Sequence, residues 1–558
     1  MPPAAPDAPS PPPSSPWAWG PVAALQAALV GYLVVRDIGA PIFDDGYFFK
    51  RFALNALEHG VFAWNLEDGP VHGCTSQAFQ LLATLAAAID PAHYVIVIKA
   101  LCGLCLVALG VLMTRWCTRA AGSPRGAPIA LLALASPLVL TTALTGMETA
   151  STLLALALVL MVLVEAPASE VAALLTVLVY LFRPDVALVP ALVVLVPALV
   201  VHRTLPARYL GALAGLMLVT LGALWAYYGT PLPLSFFMKT AGLRPYGPHV
   251  EALALGQKQL HFGATLAFGA PLLWLALHRR DPTNLALLVG ALALWAYHLL
   301  LTAEIMGYRG RFYVPGLVPL VMAAARADEA FARRGHPRAT LGLLLALGLA
   351  TAVAYTQDWI PTPRDEDLGQ LHWASYAGLG LGAAWLLLRP RAAARPWLDA
   401  LVVGALATGS VLGWKPPMRP AVRSDAVILR VHARQFTTVR GLFDVARCLP
   451  EAKNVYHSEM GVTGLVLLRT RVVDLVGILS DHLLRGDDFE AMCERDRPEA
   501  IFLPHANYRE LNAEIRRSPC FASYRRVVDR SASPLHVRED LAEPFLRCAT
   551  EVQRWRAR

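Results

Sequence analysis

Apolar runs of about 15 to 22 residues recur from Trp17 to Gly413, and few folds can accommodate them. A run of that length crosses the hydrocarbon core of a bilayer as one helix, with its backbone polar groups satisfied internally. The composition agrees: 56% of the 558 residues are hydrophobic and 16% charged, far from the soluble average. Taken as helices, the runs give a polytopic α-helical membrane protein of about thirteen transmembrane spans. They lie near residues 17–35, 93–116, 127–144, 150–164, 171–182, 186–201, 209–228, 252–277, 285–301, 312–325, 341–355, 372–388 and 397–413.

The run at 76–89 is short for a span and ends at Asp90 and Pro91, so it reads as an interfacial or re-entrant helix. With that run left out of the count, the loops carrying Arg115, Arg119 and Arg125, then Arg203 and Arg208, then Arg279 and Arg280, then Arg326 to Arg338, then Arg389 to Arg395, fall on one side. Short basic loops belong in the cytoplasm. The opposite face receives residues 37–92, the steps at 145–149 and 183–185, the loops 229–249 and 304–311, and all that follows Trp414. Basic residues on that face oppose the charge rule and need another reason, which an anionic lipid phosphate supplies.

Three regions follow. Residues 1–16 are Pro-rich with Asp7 as the sole charge, a disordered tail. No basic stretch precedes the first apolar run, so that run reads as a retained helix. Residues 17–413 form the membrane domain, and residues 414–558 an external α/β domain. Strand candidates in the latter are 454–457, 472–475, 500–503 and 524–528, with helices at 483–496 and 508–517, which suggests a partly parallel sheet. No Gly-rich phosphate loop opens any of these helices, so no nucleotide cofactor is expected. Cys448, Cys493, Cys520 and Cys548 permit two disulfides in three pairings, or remain buried thiols. The net charge of +8 sits largely in membrane-flanking loops and does not point to nucleic acid.

The chemistry concentrates in residues 43–76, FDDGYFFKRFALNALEHGVFAWNLEDGPVHGCTS. A connection this long is either functional or disordered, and this one is too aromatic for disorder. Asp44 and Asp45 open it. Two carboxylates this close raise one pKa, which suits a base near neutral pH, whereas an isolated acid pair more often marks an interfacial turn.

The order of acid pair, Tyr47, Arg51, Asn55, Gly60, Asn65, Gly73, Thr75 and Ser76 resembles the first external loop of GT-C-type membrane glycosyltransferases that use polyprenyl-phosphate sugars. The likeness is nearest to bacterial terminal arabinofuranosyltransferases, although Cys74 and Gln77 depart from the pattern. Further steps match: Thr145-Gly-Met-Glu148-Thr, Arg183-Pro-Asp185, the segment from Tyr228 to Lys239 with Ser235 in place of Thr, and Tyr308-Arg309-Gly-Arg311-Phe-Tyr-Val-Pro.

The resemblance implies a GT-C-like fold in the bacterial inner membrane, with the catalytic loop 37–92 and the C-terminal domain facing the periplasm. It implies inverting transfer of a monosaccharide, arabinofuranose as one option, from a polyprenyl-phosphate donor to an extracytoplasmic glycan among membrane lipids. Asp44 or Asp45 would be the base, and the pair could hold a divalent cation such as Mg, Mn or Ca. Arg51, Arg183, Lys239 and Arg311 would hold the donor phosphate. Tyr47, Glu148, Asp185 and Arg309 would support the site.

Capping, internal ion pairs, snorkelling and solvation are the plain alternatives for Glu148, Arg183–Asp185, Lys239 and Arg309 in turn. His59 and His72 stand at no ligand spacing and read as structural. Glu459 and Asp474, in steps that also resemble the group, are expected to shape acceptor access or end a strand. The rival class is a transporter or flippase of lipid-linked saccharides, against which stands the lack of a repeat between the halves of the chain. No feature favours a sensor.

Overall fold

The computed structural model describes residues 16–122, 126–134, 136–167, 169–240, 258, 261–263, 265–266, 268–270, 272–302, 310–334, 423–435, 437–505, 508–528 and 533–557. The expected spans at 341–355, 372–388 and 397–413, most of 252–277, the tail up to residue 15 and the domain boundary at 413–414 lie outside these residues.

The membrane part contains helices α1 (Pro16–Arg36), α2 (Asp44–His59), α3 (Gln77–Ile89), α4 (Tyr94–Ala120), α5 (Gly126–Leu134), α6 (Thr149–Glu165), α7 (Glu170–Phe182), α8 (Leu188–Pro197), α9 (Ala207–Tyr228), α10 (Leu234–Thr240), α11 (Pro282–Ala296) and α12 (Leu317–Arg334). Among the described residues, four stretches are long and apolar enough to cross a bilayer: Trp19–Arg36, Pro91–Ala120, Ala207–Tyr228 and Pro282–Leu301. The single span expected at 127–144 is instead broken. α5 stops at Leu134, and Pro137–Leu140 and Thr141–Ala143 form short separate turns. Pro137 explains the break, because its ring cannot continue the preceding helix. α1 packs on α4, α4 on α5 and α6, α7 on α6 and α9, and α8 on α11.

The C-terminal part contains α13 (Asp425–Gln435), α14 (Thr437–Cys448), α15 (Gly461–Val466), α16 (Phe489–Asp496), α17 (Arg509–Arg517) and α18 (Glu539–Ala557) around five strands. The strands are β1 (Asn454–His457), β2 (Arg471–Asp474), β3 (Ala500–Phe502), β4 (Tyr524–Val528) and β5 (Leu535–Arg538), in the order β2-β1-β3-β5-β4. β1 runs parallel to β2 and β3, and β5 antiparallel to β3 and β4. The helix expected over 483–496 splits at Gly486, which adopts a positive φ.

Residues alternate along β1, β2, β3 and β5, as the strand period requires, while β4 has a register shift between Arg526 and Val528. Val455, Val472, Ala500, Phe502, Leu535 and Val537 join the apolar core that continues into the membrane helices. Tyr456, Val473, Ile501 and Leu503 face a second core with Phe489, Met492 and Ile515. Of the three possible pairings, the cysteines adopt Cys448–Cys548, tying α14 to α18, and Cys493–Cys520, tying α16 to the turn before β4.

Candidate active site

α2 begins at Asp44 because Phe43 holds an extended conformation and the two acids favour the positive end of the helix dipole. The Phe43 amide donates to the Thr145 carbonyl at 3.1 Å, which brings the 145–149 step against the loop. Glu148 lies buried there, at the N-cap position of α6. Tyr47 is fully buried, its hydroxyl accepting from the Ile42 amide at 3.4 Å.

The neighbouring acids point to different partners. Both Asp44 oxygens accept backbone N–H groups at the start of α15, from Gly461 at 3.0 Å and Val462 at 2.9 Å. Burial raises the Asp44 pKa while those two bonds lower it. Asp45 lies 3.6 Å from Nη2 of Arg311.

The rest of α2 is a docking surface for the C-terminal domain. Arg51, stacked over Trp64 at 4.6 Å, donates to the carbonyls of Trp64, Gly464, Leu467 and Thr470 and to Oδ1 of Asn65. All five guanidinium N–H groups are thereby used. Arg51 is corrected from a phosphate ligand to a joint between loop and sheet domain. Asn65 pairs like a strand with the free edge of β2, accepting from the Val472 amide and donating to its carbonyl, each at 3.0 Å. Lys50 bonds Asp425 at 2.7 Å where the chain re-enters at α13. The approach is close enough to demand glycine: a Cβ on Gly461 would lie 1.8 Å from the Asp44 carbonyl, and one on Gly464 2.2 Å from Trp64.

A second layer forms around Arg311. Arg183 ends α7, pairs with Asp185 through Nε and Nη2, and donates from Nη1 to the Arg311 carbonyl at 2.7 Å. Asp185 also bonds His298 at 2.8 Å, on the π-helical turn that follows α11. Arg183, Arg311 and His298 all lie against the Phe312 ring. Arg183 and Asp185 are thus an internal ion pair that also holds the Arg311 backbone. Arg311 is buried, yet its Nε and Nη1 have no hydrogen-bond partner among the described residues. Buried donors left unpaired are costly, and such an exception calls for a bound partner.

α10 reaches the same face: the Leu234 amide donates to the His72 carbonyl at 2.8 Å, and Nδ1 of His72 donates to the Thr230 carbonyl at 3.1 Å. His72 stacks on Tyr228 and is structural, while His59 is exposed at the end of α2. The backbone of Lys239 lies on α10. Arg309 lies outside the described residues. Ser76, Thr149 and Ser235 each bury a hydroxyl that has no partner among them.

The sheet domain contributes two acids whose weight the sequence understated. Asp474 ends β2 and accepts the amides of Val476, Ile478 and Leu479, fixing the next loop. Burial pushes it up to about 6. Glu459 follows β1, and burial together with Asp44, Asp45 and Asp474 pushes it up to about 8. The sequence signal was its place two residues before the glycine that α2 requires.

A divalent cation does not fit the acid pair. Asp44 is taken up by backbone amides and Asp45 faces a guanidinium, and among the described residues no three His, Cys, Asp or Glu side chains gather at metal-binding geometry.

No protein-family model and no curated protein matches the sequence. Solved structures do. ArnT from Cupriavidus metallidurans in the apo state superposes with a TM-score of 0.52 at 16% identity, over 92% of this chain and 98% of ArnT. ArnT bound to undecaprenyl phosphate gives 0.51 at 14%, over 95% and 99%. The arabinosyltransferase EmbB from Mycobacterium smegmatis overlaps in part, with a TM-score of 0.38 at 17% identity, over 70% of this chain and 40% of EmbB. The chain has the fold of ArnT, the GT-C-type architecture to which the loop resemblance pointed.

Proposed function

We propose that this chain is a membrane glycosyltransferase that moves a monosaccharide, with inversion, from a polyprenyl-phosphate donor to a glycan on the periplasmic side of the bacterial inner membrane. One observation carries the reading. A buried guanidinium, Arg311, whose Nε and Nη1 have no partner among the described residues, stands 3.6 Å from Asp45. An anionic group bound there would complete Arg311, and Asp45 would face the atom that the anion leaves. The ArnT complex with undecaprenyl phosphate shows that this fold can hold such a lipid. Two disulfides in the C-terminal domain support its placement in an oxidising compartment.

In this reading the acceptor hydroxyl gives its proton to Asp45 as its oxygen bonds to the anomeric carbon. The bond from that carbon to the phosphate oxygen breaks, and the electron pair stays on the phosphate. Arg311 stabilises that charge, with Lys239 as a second cation from α10. Asp185 and Arg183 keep Arg311 in place. The buried hydroxyls of Ser76, Thr149 and Ser235 are candidates to bond the sugar. Arabinofuranose is the sugar that the loop resemblance favours.

The test is incubation of purified protein with a panel of polyprenyl-phosphate sugars and a short synthetic arabinofuranoside acceptor, following free polyprenyl phosphate and extended glycan. Release coupled to glycan extension is expected for at least one donor. Vectorial movement of intact lipid-linked sugar across vesicles, with no release, would favour the flippase.

A further inference from the structure

Glu459 enters the site from the sheet domain, and its backbone is fixed on both sides. His457 Nδ1 accepts the amides of Ser458 at 2.9 Å and Glu459 at 2.8 Å, which turns the chain toward α2 as soon as β1 ends. The Thr463 hydroxyl donates to the Glu459 carbonyl. Two and three residues further on, Gly461 and Val462 are bonded to Asp44. Glu459 is thus held beside the acid pair by the same contacts that dock the two domains.

The groups that act on its carboxyl are Asp44 and Asp45 from α2, Asp474 from the end of β2 and the adjacent Ser458. Asp45 also lies 3.6 Å from Arg311, whose side chain is 10% exposed and whose Nε and Nη1 have no hydrogen-bond partner among the described residues. Asp45 therefore neighbours both a cationic face with open donors and an acidic face. The cationic face suits the donor phosphate, which leaves the acidic face for a neutral, hydroxyl-bearing acceptor.

We propose that Glu459 orients the acceptor hydroxyl beside Asp45 by a hydrogen bond from its carboxyl group. The inference rests on the transferase reading and assigns the acceptor's side of the same site. The acceptor oxygen accepts from Glu459 and donates its own proton to Asp45, and Glu459 keeps its proton throughout. Burial, with three neighbouring carboxyl groups, pushes its pKa up to about 8, so in this role it donates at pH 7 and the bond is lost as pH rises through that value.

The test uses the full chain in detergent, the donor released fastest in the panel and the arabinofuranoside acceptor. For wild type, kcat/KM for acceptor should fall above about pH 8. Glu459→Gln, which still donates, should stay within about threefold of wild type at pH 7 and lose that alkaline limb. Glu459→Ala should lower kcat/KM for acceptor by roughly 30-fold or more, with donor affinity unchanged. If Ala does not fold, Gln and its pH profile decide alone. An unchanged alkaline limb in Gln, or full activity in a folded Ala variant, would overturn the role of Glu459 while leaving the transferase standing. No turnover by wild type with any donor would bring down both.

Discussion

Arg51 and Arg311 are both buried arginines in steps that resemble the same enzymes, and they do opposite things. At the junction of α2 with the sheet domain, Arg51 uses five donors on four carbonyls and one amide oxygen. At Arg311 the backbone is held by Arg183, while Nε and Nη1 have no partner among the described residues. A buried guanidinium saturated by its own chain serves the architecture, and one with open donors has capacity left for an anion. The acids also meet different partners. Asp44 caps α15 and Asp45 faces Arg311. Matching a motif therefore locates a residue, and its unused hydrogen-bonding capacity tells what it is for.

The sharpest way to break this division is at the acids. Asp45→Asn keeps shape but cannot take a proton, so transfer should fall by about 100-fold or more while donor binding holds. A variant that keeps near wild-type turnover would dismiss Asp45 as the base. At the junction, Arg51→Ala leaves several carbonyls unpaired and should cost on the order of 3 kcal/mol in stability, read by denaturant or thermal unfolding. Asp44→Asn turns an acceptor toward an amide donor and should cost about 1–2 kcal/mol, with transfer per folded molecule reduced less than tenfold. A 100-fold catalytic defect there, without destabilisation, would exchange the roles of the two acids. The smallest effect is expected from EDTA, with transfer changed by no more than about twofold, because the acid pair does not fit a cation.

Much of this was legible before the structure. The strands at 454–457 and 524–528 coincide with β1 and β4, because short β-branched runs between turn residues leave few alternatives. β5 was missed, since Leu535–Arg538 contains His536 and Arg538 and runs straight into the acidic start of α18. The loop at 43–76 announced a site through its length and charge. Which of its charges face a ligand was not legible. Asp44 and Asp45 are adjacent in the chain, yet Asp44 meets Gly461 and Asp45 meets Arg311, contacts that only the folded chain creates. Glu459 carried no metal spacing or catalytic motif, and its importance comes from what packs around it.

The most direct test of the division between saturated and open arginines is binding of undecaprenyl phosphate to purified wild type, Arg311→Ala and Arg51→Ala, with the melting temperature of each. Arg311→Ala should weaken binding by roughly 10-fold to 150-fold, the scale of about 1.5–3 kcal/mol for a charge-assisted contact, and melt like wild type. Arg51→Ala should melt lower and, where folded, bind as wild type does. Wild-type affinity in Arg311→Ala, or a selective loss of binding in a stable Arg51→Ala, would contradict the account.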